Sequence, residues 1–291
     1  MKLTHSRAVM LMVLCALLWS TAGVVTRHLE SARSFEVTFW RSFFTVLSLL
    51  VILPLFKGRV VFVQMRQGGK SLWLSGLCWS VMFTAFMVAL TLTTVANVLV
   101  TLALGPLMTA LVARIFTSYR IPSRTWLAIA LAGVGIVWMY GGQADLSAQI
   151  TGTLVALLVP IAAACNWTVV QHSQTHGHKV DLVPAVLVGA VMSSVVTLPL
   201  AWPLAATPPD IALLAVLGLT QLAIPCVLSV WCASVLKAPE ISLLALLEII
   251  FGILLVWAGA GEAPGHSVLY GGALVISALV MNEIMGWRNK P

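Results

Sequence analysis

Charged side chains are scarce in this sequence. Asp, Glu, Lys and Arg make up 9% of its 291 residues, whereas a soluble domain carries roughly 25%. Hydrophobic residues make up 60%. So few charges cannot cover a surface that faces water, and this excludes a soluble enzyme or a soluble binding module. The composition therefore indicates an integral membrane protein, with lipid as its outer solvent.

Cysteine pairs with a metal-binding or redox spacing are also absent. None of the five cysteines forms a C-x-x-C pair, and all lie in apolar runs. We interpret them as small buried hydrophobic residues, and we expect no metal site, disulfide framework or cofactor. The sequence also lacks the Gly-rich phosphate-binding loop of ATPases, so ATP is not expected to be the direct energy source.

Long apolar runs are what the sequence has in abundance. A membrane-crossing helix needs about 20 mostly apolar residues, and ten segments reach roughly that length. Gly, Pro and charged clusters separate them, and no connection is long enough to form a separate domain. The predicted fold is all-α, with ten transmembrane helices at about 8–27, 36–56, 70–91, 93–116, 125–142, 151–171, 182–202, 210–235, 239–260 and 267–287.

Lysine and arginine are distributed unevenly between the predicted loops. If ten helices alternate in direction, thirteen of the 16 basic residues share a side with both termini. Arg27 and Arg33 lie on the other side, and Arg41 lies inside the second span. Basic loops stay in the cytoplasm. We therefore predict a multi-pass protein of the cell (inner) membrane with both termini cytoplasmic, and the net charge of +7 needs no nucleic-acid partner.

The two halves of the chain show weak internal similarity. A shift of 143 residues superposes LVTLALGPLMTALVARIFTSYRIP on SLLALLEIIFGILLVWAGAGEAPG, and a separate alignment of the leading spans pairs Trp19 with Trp167. Since each half has an odd number of spans, related halves would run in opposite directions across the membrane. We therefore expect two inverted five-helix repeats, at residues 8–142 and 151–287.

Several segments resemble the EamA-type family of the drug/metabolite transporter superfamily. In the first half these are LLWSTAGVVTRHL, FEVTFWRSFFTVLSLL and ANVLVTLALGPLMTALVARIF. In the second half, VLKAPEISLLALLEIIFGILLVWAGAGEAPGHSVLYGGALVISALVMNE is similar to the last two spans and the Gly-Glu corner between them. Two positions depart from the pattern: Glu248-Ile249 replaces Glu-Pro, and Ser118-Tyr119 replaces the first Gly-Glu corner.

This resemblance implies a definite architecture and activity. Family members have ten helices in two inverted repeats around a central cavity. They move small metabolites across the membrane, often amino acids or their relatives outward.

Glu248 is a carboxylate in the middle of an apolar span. Burial there costs roughly 2.5–3.5 kcal/mol on insertion scales, so the side chain should face the bundle interior or a wet cavity. It is either a proton-coupling or substrate-ammonium site, or an anchor between helices. Arg41, a candidate charge partner, either binds a substrate carboxylate, or it has a structural role or extends to the membrane interface.

Polar and aromatic residues on other spans complete the candidate cavity. Span 8 carries Gly218, Gln221, Pro225, Ser229 and Cys232 at steps of three and four, which places them on one face. This face either lines a cavity or packs on another helix. The remaining cavity candidates are Trp19, Trp79, Asn97, Asn166 and Trp167, and Pro106 and Pro225 are the predicted helix kinks.

The function that these features predict is secondary transport. We expect export of a small metabolite such as an amino acid, with aromatic or bulky amino acids among the candidates, by alternating access around a central cavity. The alternatives are a membrane-embedded enzyme, for which no catalytic constellation is seen, and a non-transporting membrane scaffold. Small residues on spans 5 and 10 are compatible with either a monomer or a homodimer.

Overall fold

The computed structural model describes residues 3–32, 34–58, 60–117, 122–140, 146–175, 182–232, 235–236 and 244–288. In these ranges the chain consists of helices joined by short connections, and it contains no strand. The described residues form thirteen α-helices: α1 His5–Thr26, α2 Ser34–Lys57, α3 Val60–Gln67, α4 Gly69–Leu92, α5 Val95–Leu102, α6 Gly105–Thr117, α7 Ser123–Tyr140, α8 Leu146–Thr175, α9 Pro184–Ala201, α10 Pro208–Leu217, α11 Ile224–Cys232, α12 Leu247–Ala260 and α13 His266–Arg288.

Six described helical segments are long and apolar enough to cross a membrane. They are His5–Thr26, Ser34–Lys57, Gly69–Leu92, Val95–Val112, Pro184–Ala201 and Pro208–Cys232. Shorter apolar helices cover Ile150–Asn166, Leu247–Ala260 and His266–Asn282. The predicted all-helical membrane class is confirmed. The short helix α3, which lies between the second and third predicted spans, was not predicted from the sequence.

The main helix contacts join the two halves of the chain. Helix α4 packs on α8 and α9, α2 on α9, α1 on α12, and α7 on α13. Glycine residues, which have no side chain, allow α4 and α9 to approach each other closely. A Cβ on Gly76 would lie 2.5 Å from Val188, and one on Gly189 would lie 2.9 Å from the Gly76 carbonyl oxygen. Helices α4 and α9 therefore meet backbone to backbone.

One end of the bundle, called the first end, holds the end of α1 and the beginning of α2. There Arg27 donates from Nη1 and Nη2 to the carbonyl oxygens of Leu90 and Thr93, both at 3.0 Å, at the end of α4. Arg27 also forms an ion pair with Glu262, whose Oε1 accepts the Val95 N–H at 3.0 Å. This pair thus ties together the ends of α1, α4 and α12 and the beginning of α5.

The opposite end, called the second end, holds the beginning of α1 and the end of α13. Arg124, at the start of α7, donates to the Met285 carbonyl at 3.1 Å, and the Thr125 hydroxyl donates to Asn282 at 2.8 Å. Ala8 and Met12 pack with Cys232, the last residue of α11, and with Leu236.

Three segments of the described bundle depart from regular α geometry. Residues 103–104 form a turn between α5 and α6, and residue 246 forms a turn before α12. Between α10 and α11 the chain makes a π-helical turn, Gly218–Ala223. Such interruptions leave backbone polar groups that a neighbouring helix or a cavity must satisfy.

Candidate functional site

Arg41 is the largest fully buried side chain in the described structure, with 0% of its surface exposed. Its Nη1 donates to Gln221 Oε1 at 2.9 Å, and its Nη2 donates to the Phe83 carbonyl at 2.6 Å. The rings of Phe83 and Phe86 lie 6.0 and 5.9 Å from the guanidinium carbon. The idea that Arg41 extends to the membrane interface is therefore wrong, because its guanidinium is enclosed between α2, α4 and the π turn.

Gln221 reaches Arg41 because the π turn lies directly against α2. Pro225 has no N–H to donate to the Gln221 carbonyl, as an α-helix would require, and the wider turn accommodates this loss. Gly218 makes the contact: a Cβ there would lie 2.7 Å from the Arg41 carbonyl oxygen and 2.8 Å from the Thr45 nitrogen. The Thr45 hydroxyl donates to the Gly218 carbonyl at 3.1 Å.

Trp19 and Cys226 extend this cluster toward α1 and α11. Gln221 Nε2 donates to the Trp19 carbonyl at 3.5 Å. Cys226 is 1% exposed, and the Cys15 thiol of α1 donates to the carbonyl oxygen of the preceding residue, Pro225, at 3.5 Å. Three residues of the predicted site, Arg41, Gln221 and Trp19, are therefore joined by consecutive hydrogen bonds.

Glu248 lies in the first turn of α12, just after the turn at residue 246. The lipid-facing stripe of α12 carries Ile250, Leu254 and Trp257, each about half exposed. At about 100° per residue, Glu248 points away from this stripe and flanks the buried side, which holds Ile249 and Gly252. It is only partly exposed. Its position at a helix N-terminus favours a negative charge.

Two further predicted residues border the cluster. The Trp79 ring lies 5.5 Å from the Phe83 ring, centroid to centroid, and its Cβ faces Gly189 of α9. The Ser229 hydroxyl donates to the Cys226 carbonyl at 3.0 Å within its own helix. Trp79 therefore packs between α4 and α9 on the far side of Phe83, and Ser229 lies half-buried one turn beyond Cys226.

Asn97 and Asn166 lie toward opposite ends of the bundle. Asn97 is fully buried near the first end and donates from Nδ2 to the Thr93 hydroxyl at 3.1 Å. Asn166 accepts from the Ser75 hydroxyl at 2.6 Å, where α8 packs on the first half of α4. The backbone of Trp167 is part of α8, but its side chain lies outside the described residues.

The two predicted kink prolines follow the breaks in their helices. Pro106 is the second residue of α6, directly after the turn at residues 103–104. Pro225 is the second residue of α11, directly after the π turn. In both cases the irregular backbone precedes the proline, since the proline removes a hydrogen bond from the turn before it.

Sequence reasoning did not identify the two carboxylates that fasten the first end. Glu36 is fully buried and accepts the N–H groups of residues 205 and 206 at 2.7–3.0 Å. Asp210 is 1% exposed and accepts the N–H groups of residues 30–32 at 3.0–3.1 Å. Glu36 lies in the first turn of α2 and binds the loop before α10. Asp210 lies in the first turn of α10 and binds the loop before α2. The available sequence signal was the position of each carboxylate just after a loop. That position did not indicate the partner loop, because the partner loop is distant in the sequence.

A small cavity of about 190 Å³ lies at the first end, beside the Arg27–Glu262 pair. Thr94, Val95 and Ala96 form one wall and Ile253 and Val256 another. The walls are mostly apolar, and Glu262 supplies the charge.

Comparison with known proteins gives a family match for the first half of the chain. Residues 6–141 match the model of the EamA-like transporter family. The match spans just under half of the chain and shows that this part is similar to that family. The apolar helical segments of membrane-crossing length are those of a multi-pass membrane protein.

Similarity at the level of three-dimensional structure extends beyond the matched half. A solved structure described as "Crystal structure of protein" covers 99% of this chain, and the match covers 100% of that structure. The TM-score is 0.68 at 16% sequence identity, which shows a shared fold and nothing about substrate. No curated protein sequence matches the chain.

Proposed function

We propose that this EamA-like protein is a secondary transporter that exports a small metabolite such as an amino acid by alternating access. One observation carries the proposal: Arg41, Gln221 and Trp19, from three separate helical segments, are joined by hydrogen bonds inside the bundle. Gln221 lies on a π turn and Glu248 follows a helix interruption. Interrupted helices at membrane depth commonly form the substrate sites of secondary transporters.

We further propose that ten segments cross the membrane, with α5–α6 and α10–α11 each forming one crossing. Contacts at the two ends support this alternation. Helix α1 ends at the first end, where Arg27 binds the end of α4. Helix α8 begins there, because a Cβ on Gly152 would lie 2.7 Å from Thr93. Toward the second end α8 passes the first half of α4, where Asn166 binds Ser75. Helices α1 and α8 therefore run in opposite directions.

The proposal that the halves are inverted repeats has two further supports. The shift of 143 residues that aligns the halves also aligns the turn at 103–104 with the turn at 246. The helix contacts exchange in the same way: α1 packs on α12 as α8 packs on α6, and α7 packs on its own counterpart α13. A pseudo-twofold relation between oppositely oriented halves gives one central site access to each side in turn.

The proposed orientation places the first end outside the cytoplasm. Among the described Lys and Arg residues, Arg27 is the one at this end, and its guanidinium forms an ion pair with Glu262. Arg7, Lys57, Lys70, Arg114 and Arg124 lie toward the second end. Basic residues favour the cytoplasmic side, so we place both termini in the cytoplasm and the protein in the cell inner membrane.

In the proposed mechanism, Glu248 is the group that binds a substrate ammonium or a coupling proton. Its side chain points away from the lipid-facing stripe of α12 and flanks the buried side of that helix. Trp79 and Phe83 supply an aromatic surface beside the cluster, which favours a bulky or aromatic substrate.

Reconstitution into liposomes tests the proposal. Purified protein should exchange internal L-phenylalanine for external labelled L-phenylalanine, and Glu248→Gln should abolish any dependence of transport on a pH gradient. Glu30→Gln, an exposed carboxylate at the first end, is the matched control and should behave as the wild type. Transport of no amino acid by the wild type would refute the proposed function, and unchanged gradient-driven transport by Glu248→Gln would remove Glu248 as the coupling group.

A further inference from the structure

Helix α3 lies at the second end of the bundle, between the end of α2 and the beginning of α4. It has 8 residues and is therefore about 12 Å long, too short to cross a membrane. Gly58 and Gly69, which flank it, have φ angles of 71° and 57°. These left-handed conformations change the direction of the chain at both ends of α3, so α3 is set apart from the two membrane-crossing helices that it connects.

One face of α3 packs on the bundle. Val61 is fully buried in an apolar cluster that also holds Leu53 of α2 and Val186 of α9. Phe62 and Met65 are partly buried and pack against the same cluster. Helix α3 is thus held against the second end where α2 ends and α9 begins.

Another face of α3 is apolar and exposed. Val60 and Val63 keep 60% and 54% of their surface accessible. Phe56 in the last turn of α2 and Trp73 near the start of α4 are also exposed. Exposed tryptophans of membrane proteins collect at the boundary between the hydrocarbon and the headgroups. The exposed valines therefore lie at this boundary, where an amphipathic helix inserts its apolar face between lipid molecules.

Basic residues accompany α3 on both sides. Lys57 is the last residue of α2, Lys70 is the second residue of α4, and both are exposed. Arg59 and Arg66 lie between them in the sequence, and the segment from Lys57 to Lys70 contains no Asp or Glu. The segment therefore carries four positive charges and no negative one. Such a basic, amphipathic segment beside a membrane attracts the headgroups of anionic lipids.

We propose that α3 lies in the membrane interface at the second end and, with the four basic residues, binds anionic phospholipids. Val60 and Val63 contact the acyl chains, and the basic side chains bind the headgroup phosphates. The partner is a membrane lipid, because a free phosphate offers nothing to cover the two exposed valines. This inference goes beyond the proposed transport function and holds for any transported substrate.

Native mass spectrometry of the purified protein measures the lipid preference. With equal amounts of phosphatidylglycerol and phosphatidylcholine in detergent, the wild type should retain phosphatidylglycerol at least about tenfold more strongly. The combined change of Lys57, Arg59, Arg66 and Lys70 to Gln should remove most of this preference. Equal retention of the two lipids by the wild type would overturn the proposal. Retention of glycerol phosphate as strong as that of phosphatidylglycerol would also overturn it, because the site would then bind free phosphate.

A second variant separates the location of the charges from their number. It replaces four other basic residues that are predicted on the same side with Gln: Arg7, Arg114, Arg120 and Arg288. This variant has the same net charge as the first and should keep the preference for phosphatidylglycerol. An equal loss in the two variants would show that overall charge governs lipid retention, which would overturn the role of α3.

A fluorescent label at Val63 tests the insertion of α3 in protein that keeps all its basic residues. Val63→Cys is labelled with bimane and reconstituted with lipids that are brominated near the headgroup end of their acyl chains, and the unsubstituted protein gives the background from native cysteines. Bromine should quench this label several-fold more strongly than a label on Glu30→Cys, at an exposed loop position of the first end. Equally weak quenching at the two positions would show that α3 does not enter the membrane interface.

Discussion

The contact between Gly218 and α2 provides a direct test of the site geometry. In Gly218→Ala the added Cβ would lie 2.7 Å from the Arg41 carbonyl oxygen, 2.8 Å from the Thr45 nitrogen and 2.9 Å from the Phe44 Cβ. Two of these are backbone atoms, which cannot rotate away. Ordinary contact begins near 3.4 Å, so the π turn and α2 must separate by several tenths of an ångström.

The expected cost of Gly218→Ala can be built from three contributions. Overpacking costs about 1–3 kcal/mol. The Arg41–Gln221 hydrogen bond, now 2.9 Å, would lengthen toward the limit at which it is lost, and a hydrogen bond to a charged group is worth about 1.5–3 kcal/mol. The better helix propensity of alanine offsets about 1 kcal/mol of this destabilisation. We expect a net destabilisation of about 2–4 kcal/mol, together with impaired transport.

Thermal unfolding in detergent, followed by tryptophan fluorescence, measures this effect. Gly133→Ala in the middle of α7 is the control, because a Cβ there meets nothing within 4 Å. The control should unfold at the wild-type temperature or slightly above it, since only helix propensity changes. An unfolding temperature for Gly218→Ala equal to that of Gly133→Ala would refute the close contact between the π turn and α2.

Three further substitutions test contacts elsewhere in the bundle. Glu262→Gln should weaken the ion pair with Arg27 and raise the rate at which an impermeant thiol reagent labels a cysteine introduced at Ala96; an unchanged rate would show that the ion pair does not limit access to the adjacent cavity. Asp210→Ala should destabilise the protein by about 2 kcal/mol or more, because three loop N–H groups lose their acceptor, while Asp210→Asn should lose less in the same thermal assay. Gly189→Ala should lower the unfolding temperature well below that of Gly133→Ala, since its Cβ would lie 2.9 and 3.0 Å from two backbone atoms of α4.

Much of the site was predictable residue by residue but not as an assembly. Glu248 stands out because an isolated carboxylate in an apolar run is costly, and Gln221 because it lies on the polar face of its span. The sequence did not show that Gln221 reaches Arg41, because that contact depends on a π turn and on the missing side chain of Gly218. Arg41 was ambiguous for the same reason: its depth depends on the helices that surround it, not on its distance from the start of α2.

The first end shows the same division. Glu262 belonged to a recognisable Gly-Glu corner, and Arg27 was one of two basic residues on its predicted side. Their ion pair, and its contacts with the end of α4 and the beginning of α5, join positions that are far apart in the sequence. Glu36 and Asp210 gave no comparable signal, because the loop amides that they bind are distant in the chain and chemically unremarkable.

Composition and hydropathy alone determined the membrane environment and the inventory of polar groups within the apolar spans. They also determined the helical class, because backbone hydrogen bonds must be satisfied within each apolar span. Tertiary packing alone decided which of those polar groups meet. Side-chain contact between helices depends on crossing position and on the glycines that permit it, and these distances are not encoded in the periodicity of any single span.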